Sequence, residues 1–513
     1  MKSKLQFSAV NNKISYQADP LSLYQLVTQN CSHSMLLESA EIDSKAHLKS
    51  LIMTDAAMMI RCDDQILTFV ALTKNSQYLL PQIALKFENL EQQLTGKSLI
   101  ITLEPNHDVL DEDQKLLAQS PLDGLRAILN LDEKTSEHQP IFLGGVFAFD
   151  FIACIESLPK VKQGDNQTPD YVFYLAEQLI TLDHTQKKAC LTTYSFNFDE
   201  SNTAKLADRS QQIMHLTQMP PAALSATCVD AEPSVNMCDE TFKNHVSELK
   251  QHIIEGDIFQ IVPSRSFSLP CPNTLGAYSK LKQTNPSPYM FYFRGEDFTL
   301  FGASPESALK YEADSNQVEI YPIAGTRKRG KDEHGNIDAD LDCRIELELR
   351  LDKKELAEHL MLVDLGRNDI ARISQAGTRK VPELLKVDRY SHVMHLVSRI
   401  TGQLQPQLDA LHAYQACMNM GTLTGAPKIK ASQLIRQVEG QRRGSYGGAV
   451  GYINSHGDMD TCIVIRSAYV KDDIAHIQAG AGVVFDSDPQ AEADETRQKA
   501  QAVISAIQLG GGL

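Results

Sequence analysis

The sequence predicts an α+β protein in which packed, mainly antiparallel sheets are flanked by helices. Short runs of β-branched and apolar residues come in clusters along the chain. Segments with helical apolar spacing separate these clusters, without the strict strand–helix alternation of a doubly wound sheet. At 513 residues the chain is too long for one ordinary hydrophobic core, so two domains are expected.

The first two hundred residues mix short strands with helices. Strand-like runs are predicted at 67–72, 98–103 and 144–150. Residues 219–238 are rich in proline, alanine and serine, which is typical of a linker. We therefore predict an N-terminal domain over 1–218 and a second domain over 239–513.

The second block opens with a helix that begins near Asp239 and ends before Gly256, a residue type suited to a helix C-terminus. Its apolar face is formed by Phe242, Val246, Leu249 and Ile253. Strands are predicted at 258–262, 289–293, 318–322, 448–453 and 461–466.

Composition excludes several classes of function. The net charge of −16 and pI of about 5.4 oppose binding to nucleic acid or to anionic membranes, which attract basic surfaces. No run of apolar residues is long enough to span a membrane, and the N-terminus lacks a secretory signal. Ten cysteines without a CxxC motif indicate free thiols in the cytoplasm.

Two pairs of glutamates have helical spacing. Glu355 and Glu358 lie three residues apart, beside an apolar stripe of Leu356, Leu360 and Val363. The pair Glu492 and Glu495 repeats this spacing in the last helix, which opens at Asp488-Pro489. Two such pairs are suited to Mg²⁺, which prefers oxygen ligands. Either pair alone is better explained as a solvated helical face, and only the neighbouring motifs favour the metal.

Two glycine-containing segments are candidates for anion binding. Residues 425–428, Gly-Ala-Pro-Lys, enter a helix whose apolar stripe is Ile429, Leu434, Ile435 and Val438. Free N–H groups at such a helix start bind anions, although an ordinary helix cap has the same appearance. Gly480, Ala481 and Gly482 offer backbone donors in the same way, and by themselves also fit a simple turn.

Three single side chains suit chemistry on an anionic substrate. Arg466 is predicted inside an apolar strand, where its guanidinium needs either a substrate carboxylate or a protein carboxylate as partner. His395 stands among apolar residues and is either a base or a satisfied core histidine. Glu306 is either a general acid or a cap or surface residue.

These motifs resemble, in order and wording, those of the chorismate-binding enzymes. The resemblance covers nearly the whole chain, is strongest from about 239 to 506, and is most specific over 342–369. It implies the large fold of chorismate-utilising enzymes. The implied substrate, chorismate, carries a ring carboxylate, an enolpyruvyl carboxylate and a hydroxyl leaving group.

The resemblance also implies roles for individual residues. Glu358 and Glu495 are expected to bind Mg²⁺, with Glu355 and Glu492 behind them. Chorismate or its products are expected to contact Gly325, Thr326, Tyr446, Arg466, Gly480, Ala481, Gly482 and Lys499. The catalytic residues are expected to be Glu306, His395, Gln260 and Thr422, with Glu306 preferred over His395 as the acid that protonates the departing hydroxyl.

Two positions separate the branches of this family. Isochorismate- and salicylate-forming members carry a lysine base where this chain has Gln260, and a neutral amide does not deprotonate water. Aminodeoxychorismate-forming members usually carry a nucleophilic lysine where this chain has Ala324. Both positions favour the anthranilate-forming branch, at the first step of tryptophan biosynthesis. The alternatives are the aminodeoxychorismate-forming component of the folate pathway and a catalytically silent, tryptophan-sensing subunit.

The resemblance further implies a partner and an effector. The chain has no Gly-x-Cys-x-Gly glutaminase motif, so ammonia is expected from a separate glutamine amidotransferase subunit, in a heterotetramer of two large and two small subunits. The N-terminal domain is expected to hold the contact with that partner and a tryptophan feedback site. The expected contacts of tryptophan are Glu38, Ser39, Lys49, Pro288, Tyr289, Met290, Val450, Tyr452 and Cys462.

Overall fold

The computed structural model describes residues 7–29, 31–39, 48–104, 111–131, 139–220, 224, 226–390 and 393–513. The strands in this part of the chain are β1 (Ser8–Ile14), β2 (Ser34–Glu38), β3 (Lys49–Asp63), β4 (Ile66–Ala71), β5 (Glu91–Leu94), β6 (Ser98–Thr102), β7 (Phe142–Phe147), β8 (Tyr171–Asp183), β9 (Lys188–Ser195), β10 (Ser234–Val235), β11 (Gln260–Ile261), β12 (Ser264–Pro270), β13 (Tyr289–Arg294), β14 (Thr299–Ser304), β15 (Ser307–Glu312), β16 (Gln317–Ile320), β17 (Ile323–Lys328), β18 (Lys380–Arg389), β19 (Val393–Gln403), β20 (Gly425–Ala426), β21 (Ala449–Asn454), β22 (Met459–Ile463), β23 (Ser467–Lys471) and β24 (Ile474–Gly480). The helices are α1 (Pro20–Val27), α2 (Lys74–Gln77), α3 (Leu80–Lys86), α4 (Glu112–Leu117), α5 (Asp123–Leu129), α6 (Glu200–Leu216), α7 (Asp239–Ile254), α8 (Thr274–Thr284), α9 (Ala339–Leu351), α10 (Lys353–Ile373), α11 (Ala410–Cys417), α12 (Lys428–Glu439) and α13 (Pro489–Gly510), with a 3₁₀ helix at Phe149–Cys154.

The strands pair antiparallel, which confirms the predicted α+β class. Apart from the short β11–β20 pair, the strands belong to one continuous network that branches where β3, β8 and β19 each meet three neighbours. Because the sheet branches, different parts of it can pack face to face and enclose a hydrophobic core. Phe147, Phe173, Phe291 and Ile463 are buried in that core.

Strands from both ends of the chain are neighbours in this network. In the register of β2 and β13, Glu38 lies opposite Met290, and in that of β7 and β21, Val146 lies opposite Val450. The division into domains at 219–238 stays a prediction, and residues 221–223 and 225 of the predicted linker lie outside the described part of the chain.

Several helices contribute to two further buried cores. Tyr278 of α8 and Ile504 of α13 are buried against Phe267 of β12 and form a second core with neighbouring strands. Helices α7 and α12 contribute Leu249 and Ile435 to a third, smaller core. The last helix, α13, is thereby fixed to the sheet along the edge that carries the functional residues.

Several predicted strands end earlier than expected. The segment 144–150 leaves the sheet after Phe147 and enters the 3₁₀ helix, because the buried Asp150 carboxylate accepts bonds from Arg436 and from the Gly444 N–H. Of the predicted strand 258–262, only Gln260–Ile261 forms a strand, β11. The predicted strand 461–466 corresponds to β22, which ends at Ile463. Arg466 therefore lies in the loop before β23, with a φ of +50°, and the prediction that it interrupts a strand is wrong.

The helices match their predicted ends more closely. Helix α7 ends at Ile254 and Gly256 follows with a φ of +83°, a left-handed conformation that suits glycine. Asp488 caps α13 by accepting a bond from Ala491 N. For two residues the prediction of a buried apolar stripe is wrong. Leu360 is 46% exposed and Ile429 is 38% exposed.

No helix in the described ranges is long and apolar enough to cross a membrane.

Candidate active site

The candidate site lies where β17, β19, α10 and α13 meet three loops. Thr326 of β17 lies opposite His395 of β19 in the strand register. Helix α10 brings Glu355 and Glu358 to this edge because the His359 ring bonds back to β17, with Nδ1 3.1 Å from the Ala324 carbonyl oxygen. The segments around Glu306, Arg466 and Gly480 complete the walls.

Glu306 is buried, and its carboxyl group is the centre of one wall. The hydroxyl of Thr422 donates to Glu306 Oε1 over 2.9 Å. Burial raises the pKa of Glu306 to about 8, against the weaker lowering effects of Thr422, Lys499 and Arg466. The group is therefore a neutral acid at pH 7, which is the state required of a proton donor.

His395 has the opposite protonation state. Its Nδ1 lies 2.8 Å from the Thr326 hydroxyl. Burial, followed by the charge of Arg466, lowers the pKa of His395 to about 4. The ring is neutral at pH 7 and therefore has no acidic proton to donate. Of the two groups, Glu306 is the one suited to act as the acid.

The carboxylate of Glu358 points into the site from α10. Its Oε1 accepts a bond of 2.9 Å from Gln260 Nε2. A Cβ atom on Gly482 would lie 3.4 Å from the same oxygen and 3.0 Å from Gln260 Nε2, so a side chain there would crowd both groups. Burial, then repulsion by Glu355 and Glu495, raises the pKa of Glu358.

The other three glutamates surround Glu358 at different depths. Glu495 pairs with Lys499 at 2.6 Å, and Glu355 pairs with Arg327 at 2.7 Å. Glu492 is 4% exposed, and its Oε2 has no hydrogen-bond partner among the described residues. Burial raises the pKa of Glu492, with a further contribution from Glu495.

The carboxylate set fits Mg²⁺. A buried carboxylate oxygen without a partner and two mutually repelling carboxylates are relieved by a hard divalent cation. In the described ranges, only His252, Glu255 and Asp257 bring three potential ligand atoms within 4.8 Å of one another, and they lie elsewhere, at the end of α7. The glutamates therefore form no closed cage, which suits an ion that completes its shell with substrate and water oxygens.

Arg466 and Lys499 supply positive charge to the site. No ion pair within 4.0 Å joins Arg466 to a carboxylate in the described parts of the chain, so its guanidinium remains available to an anion. Glu495, Glu306 and Tyr446 are all near enough to influence its charge. Lys499 donates to the Gly480 carbonyl oxygen over 3.1 Å besides pairing with Glu495.

The predicted glycines lie at close approaches of the backbone. Gly325 has a φ of +89°, and a Cβ there would lie 3.2 Å from Glu355 Oε2. A Cβ on Gly480 would lie 2.7 Å from the Pro263 carbonyl oxygen and 3.0 Å from the Tyr446 hydroxyl. Together with Ala481, which is buried beside them, these residues leave room for a ligand without room for larger side chains.

Some residues beside these groups were not predicted from the sequence. His359 is buried between α10 and β17, with Nε2 2.7 Å from the Ser398 hydroxyl. The sequence feature that could have indicated His359 is its position directly after Glu358. Ser307 and Tyr321 line the small cavity beside Glu306, and no residue pattern distinguished either one.

The nine residues predicted to contact tryptophan line one large cavity. Its volume is about 810 Å³, and the strand pairs β2–β13 and β21–β22 form its walls. We call it the effector cavity. The carboxylate of Glu38 is already engaged there, because Lys282 Nζ donates to Oε2 over 2.6 Å and the Tyr278 hydroxyl to Oε1 over 2.7 Å. If Glu38 is to contact the ammonium group of tryptophan, that group must compete with Lys282 for the carboxylate.

Comparison with known proteins identifies the family of the chain. The family model described as chorismate binding enzyme matches residues 82–505. Anthranilate synthase component 1 of Vibrio parahaemolyticus is 57% identical over 508 residues, with 98% of this chain and 93% of that protein covered. Its counterpart from Escherichia coli is 50% identical over 496 residues, with 96% and 95% covered.

Solved structures show the same fold. The crystal structure of anthranilate synthase component I from Streptococcus pneumoniae has a TM-score of 0.70 and 28% identity, covering 91% of this chain and 94% of its own. The menaquinone-specific isochorismate synthase of Escherichia coli also has a TM-score of 0.70, at 17% identity, covering 98% and 95% of the two chains. The latter likeness concerns the fold alone. The chain therefore belongs to the chorismate-binding enzyme family, in its anthranilate synthase component 1 branch.

Proposed function

We propose that this chain converts chorismate and ammonia into anthranilate and pyruvate. The observation that carries the proposal is the neutral acid Glu306, buried within reach of the charges of Arg466 and Lys499. An acid with a pKa of about 8 suits the departure of a hydroxyl group at neutral pH. The high identity with anthranilate synthase component 1 selects the product.

Each residue has a part in this reaction. Ammonia adds at a ring carbon of chorismate while the ring hydroxyl leaves, and Glu306 donates its proton to that oxygen so that water departs. Elimination of pyruvate from the amino intermediate then gives the aromatic amine. Arg466 and the backbone at Gly482 hold the carboxylates, so that the reacting carbon stays beside Glu306. The Ala481 N–H does not take part, because it already donates to the Pro263 carbonyl oxygen over 3.1 Å.

The acidic residues supply the site for Mg²⁺. Glu358 and Glu495 would hold the ion, with Glu355 and Glu492 behind them, as the orphaned Glu492 oxygen supports. When bound, Mg²⁺ would offset the negative charge of the ring carboxylate. Lys499 pairs with Glu495 at 2.6 Å and must give up part of that contact when a cation is present.

Gln260 and Ala324 favour ammonia over other nucleophiles. Gln260 donates to Glu358, so its amide is fixed at the metal-side wall and carries no basic group that activates water. Ala324 offers no amine to attack the ring. Direct addition of free ammonia to the ring is therefore the reaction that these two residues favour.

A partner subunit would supply that ammonia from glutamine. The designation component 1 of the relatives supports a second component, and the sequence has no glutaminase nucleophile motif. We assign the partner as a glutamine amidotransferase in a heterotetramer of two large and two small subunits. The ten free cysteines support a cytoplasmic location.

Tryptophan is proposed to bind in the effector cavity and inhibit the reaction. The cavity combines an apolar part, with Met290, Val450 and Cys462, and hydroxyl groups from Ser39 and Tyr289. That combination suits an amino acid with a large apolar side chain. The cavity is much larger than one such ligand requires, so a bound molecule leaves part of it to solvent.

One assay tests the reaction directly. Purified chain, chorismate, Mg²⁺ and an ammonium salt should give the fluorescence of anthranilate, and glutamine should replace ammonium only after the partner subunit is added. Formation of aminodeoxychorismate would show the folate-pathway alternative. Binding of tryptophan without any turnover of chorismate would show the catalytically silent alternative.

A further inference from the structure

Ser307 and Tyr321 each belong to two cavities. Both residues line the effector cavity, and both line a small cavity of about 30 Å³ that contains Glu306 and Thr422. Ser307 directly follows Glu306 in the chain, and Pro305, which precedes Glu306, also lines the effector cavity. The acid is therefore carried on a segment whose two flanking residues face the effector.

Hydrogen bonds continue this connection into the effector cavity. The Tyr289 hydroxyl donates to Asp460 Oδ1 over 3.2 Å and accepts a hydrogen bond from the Ser307 hydroxyl. The Ser307 hydroxyl is 3.4 Å from the Thr461 carbonyl oxygen. A molecule that contacts the Tyr289 ring thus contacts the hydrogen-bond partner of Ser307, which is the neighbour of Glu306 in the chain.

The strand ladder is irregular beside the acid. The Glu306 carbonyl oxygen accepts a bond of 3.0 Å from Ile463 N, and Ser307 lies opposite Cys462. The register between β15 and β22 then shifts before Leu309, so the ladder is irregular immediately after the acid. An irregular ladder opposes displacement less than a regular one, because fewer bonds must break together.

We propose that Ser307 is a positioning residue for Glu306 and that ligand in the effector cavity acts through the Tyr289–Ser307 contact to withdraw the acid from Thr422. The inference rests on the proposed function, since it names the regulation of that site. An effector shifts the equilibrium only by its differential affinity for the two positions of this segment. Tyr289 supplies that difference, because its hydroxyl bonds to Ser307 in one position and is displaced in the other.

The test separates binding of tryptophan from inhibition. Ser307→Ala removes the hydroxyl that joins the two cavities. We expect calorimetry to show tryptophan affinity within roughly tenfold of wild type, as for loss of one neutral hydrogen bond. Ammonia-dependent turnover by this variant should stay partly active when tryptophan is saturating, whereas the wild type is fully inhibited.

Ser39→Ala is the matched control. Ser39 lines the same cavity but directly follows β2, away from the acid, so its loss should weaken binding and inhibition by the same factor. Full inhibition of Ser307→Ala at saturating tryptophan, or a loss of inhibition that only follows a loss of affinity, overturns the proposal. Tyr289→Phe keeps the ring and removes the hydroxyl, and provides the same comparison if Ser307→Ala does not fold.

The pH profile gives a readout that a purely structural role would not change. Thr422 lowers the pKa of Glu306, so withdrawal of the acid from Thr422 should move the alkaline limb of kcat to higher pH when tryptophan is partly bound. The same limb should stay in place for Ser307→Ala.

Absence of anthranilate with the wild type refutes the proposed reaction, and anthranilate without tryptophan inhibition refutes the regulation; either removes the basis of this inference. Intact reaction and inhibition with no uncoupling refutes the Ser307 link alone.

Discussion

Thr422 donates its hydroxyl proton to Glu306 Oε1 over 2.9 Å, inside a wall that excludes water from the carboxyl group. The bond fixes one carboxyl oxygen and leaves the other for a ligand. It also limits how far burial raises the pKa of Glu306, which settles at about 8. The acid is thus protonated at neutral pH and still acidic enough to give its proton to a leaving hydroxyl.

Glu306→Gln should remove the proton donor and keep the shape of the site. We expect ammonia-dependent anthranilate formation to fall roughly 10²- to 10⁴-fold, the usual worth of a general acid. The midpoint of thermal unfolding should not fall, because the amide has no ionised form to bury at neutral pH. Glu312→Gln, at the exposed end of β15, is the control and should retain wild-type turnover. Equal activity of the two variants contradicts the role of Glu306.

The pH dependence of turnover should reflect the same group. Glu306 is active when protonated, so kcat should be retained below its pKa and lost as pH rises through about 8. His395, with a pKa of about 4, should add no limb between pH 5 and 7. Thr422→Val removes a bond that lowers the pKa of Glu306, and the alkaline limb should therefore move upward. A limb that stays in place in this variant excludes Glu306 as its source.

Sequence periodicity was sufficient for the long elements and for the fold class. The helices that carry Glu355, Glu358, Glu492 and Glu495 were predicted because their spacing is local and their caps have clear signals. The order of the strands in the branched network depends on contacts between distant parts of the chain, which periodicity does not contain. Only the family resemblance connected residues 38–39 with 288–290.

Arg466 shows where the local pattern failed. Four apolar residues before it predicted a continuing strand, yet β22 ends at Ile463. Arg466 itself adopts a left-handed conformation, and its guanidinium is near enough to Glu495 and Glu306 to interact with their charges. Such a turn is decided by tertiary contacts, among them the bond from Val464 N to the Gly448 carbonyl oxygen. Nothing local indicated either that Lys282 would pair with Glu38, whose role as a tryptophan contact stays a prediction.

Replacement of either predicted metal ligand should affect turnover through Mg²⁺. Glu358→Gln and Glu495→Gln should each lower activity by at least about a hundredfold, because loss of several kcal/mol of charge stabilisation has that effect on rate. Raised Mg²⁺ should restore part of the activity, and calorimetry should show weaker Mg²⁺ binding in each variant. Glu348→Gln on the solvent side of α9 is the control. Wild-type dependence on Mg²⁺ in one variant would remove that residue from the metal site.

Arg466 should determine affinity for chorismate. Lysine at this position keeps the charge but not the planar pair of donors, so Arg466→Lys should raise the KM for chorismate roughly 10- to 100-fold, as expected for one charged hydrogen bond. The KM for ammonia should change little, because ammonia carries no carboxylate. Steady-state kinetics with each substrate varied in turn measures both. An unchanged KM for chorismate in Arg466→Lys contradicts the assignment.

Tryptophan should inhibit the enzyme from the effector cavity, and Ser39→Phe should relieve that inhibition. Ser39 lies at the end of β2, next to Glu38, whose carboxylate is held by Lys282 and Tyr278. A phenyl ring at this position fills space that the indole requires, and it does so far from the glutamates of α10 and α13. Catalysis should be largely retained, while tryptophan binding measured by calorimetry should fall below detection. Because coupling between two ligands is reciprocal, saturating chorismate should weaken tryptophan binding to the wild type by the factor with which tryptophan weakens chorismate binding. If Ser39→Phe binds tryptophan with wild-type affinity, the effector site lies elsewhere on the chain, whatever the outcome for Glu306 and the metal ligands.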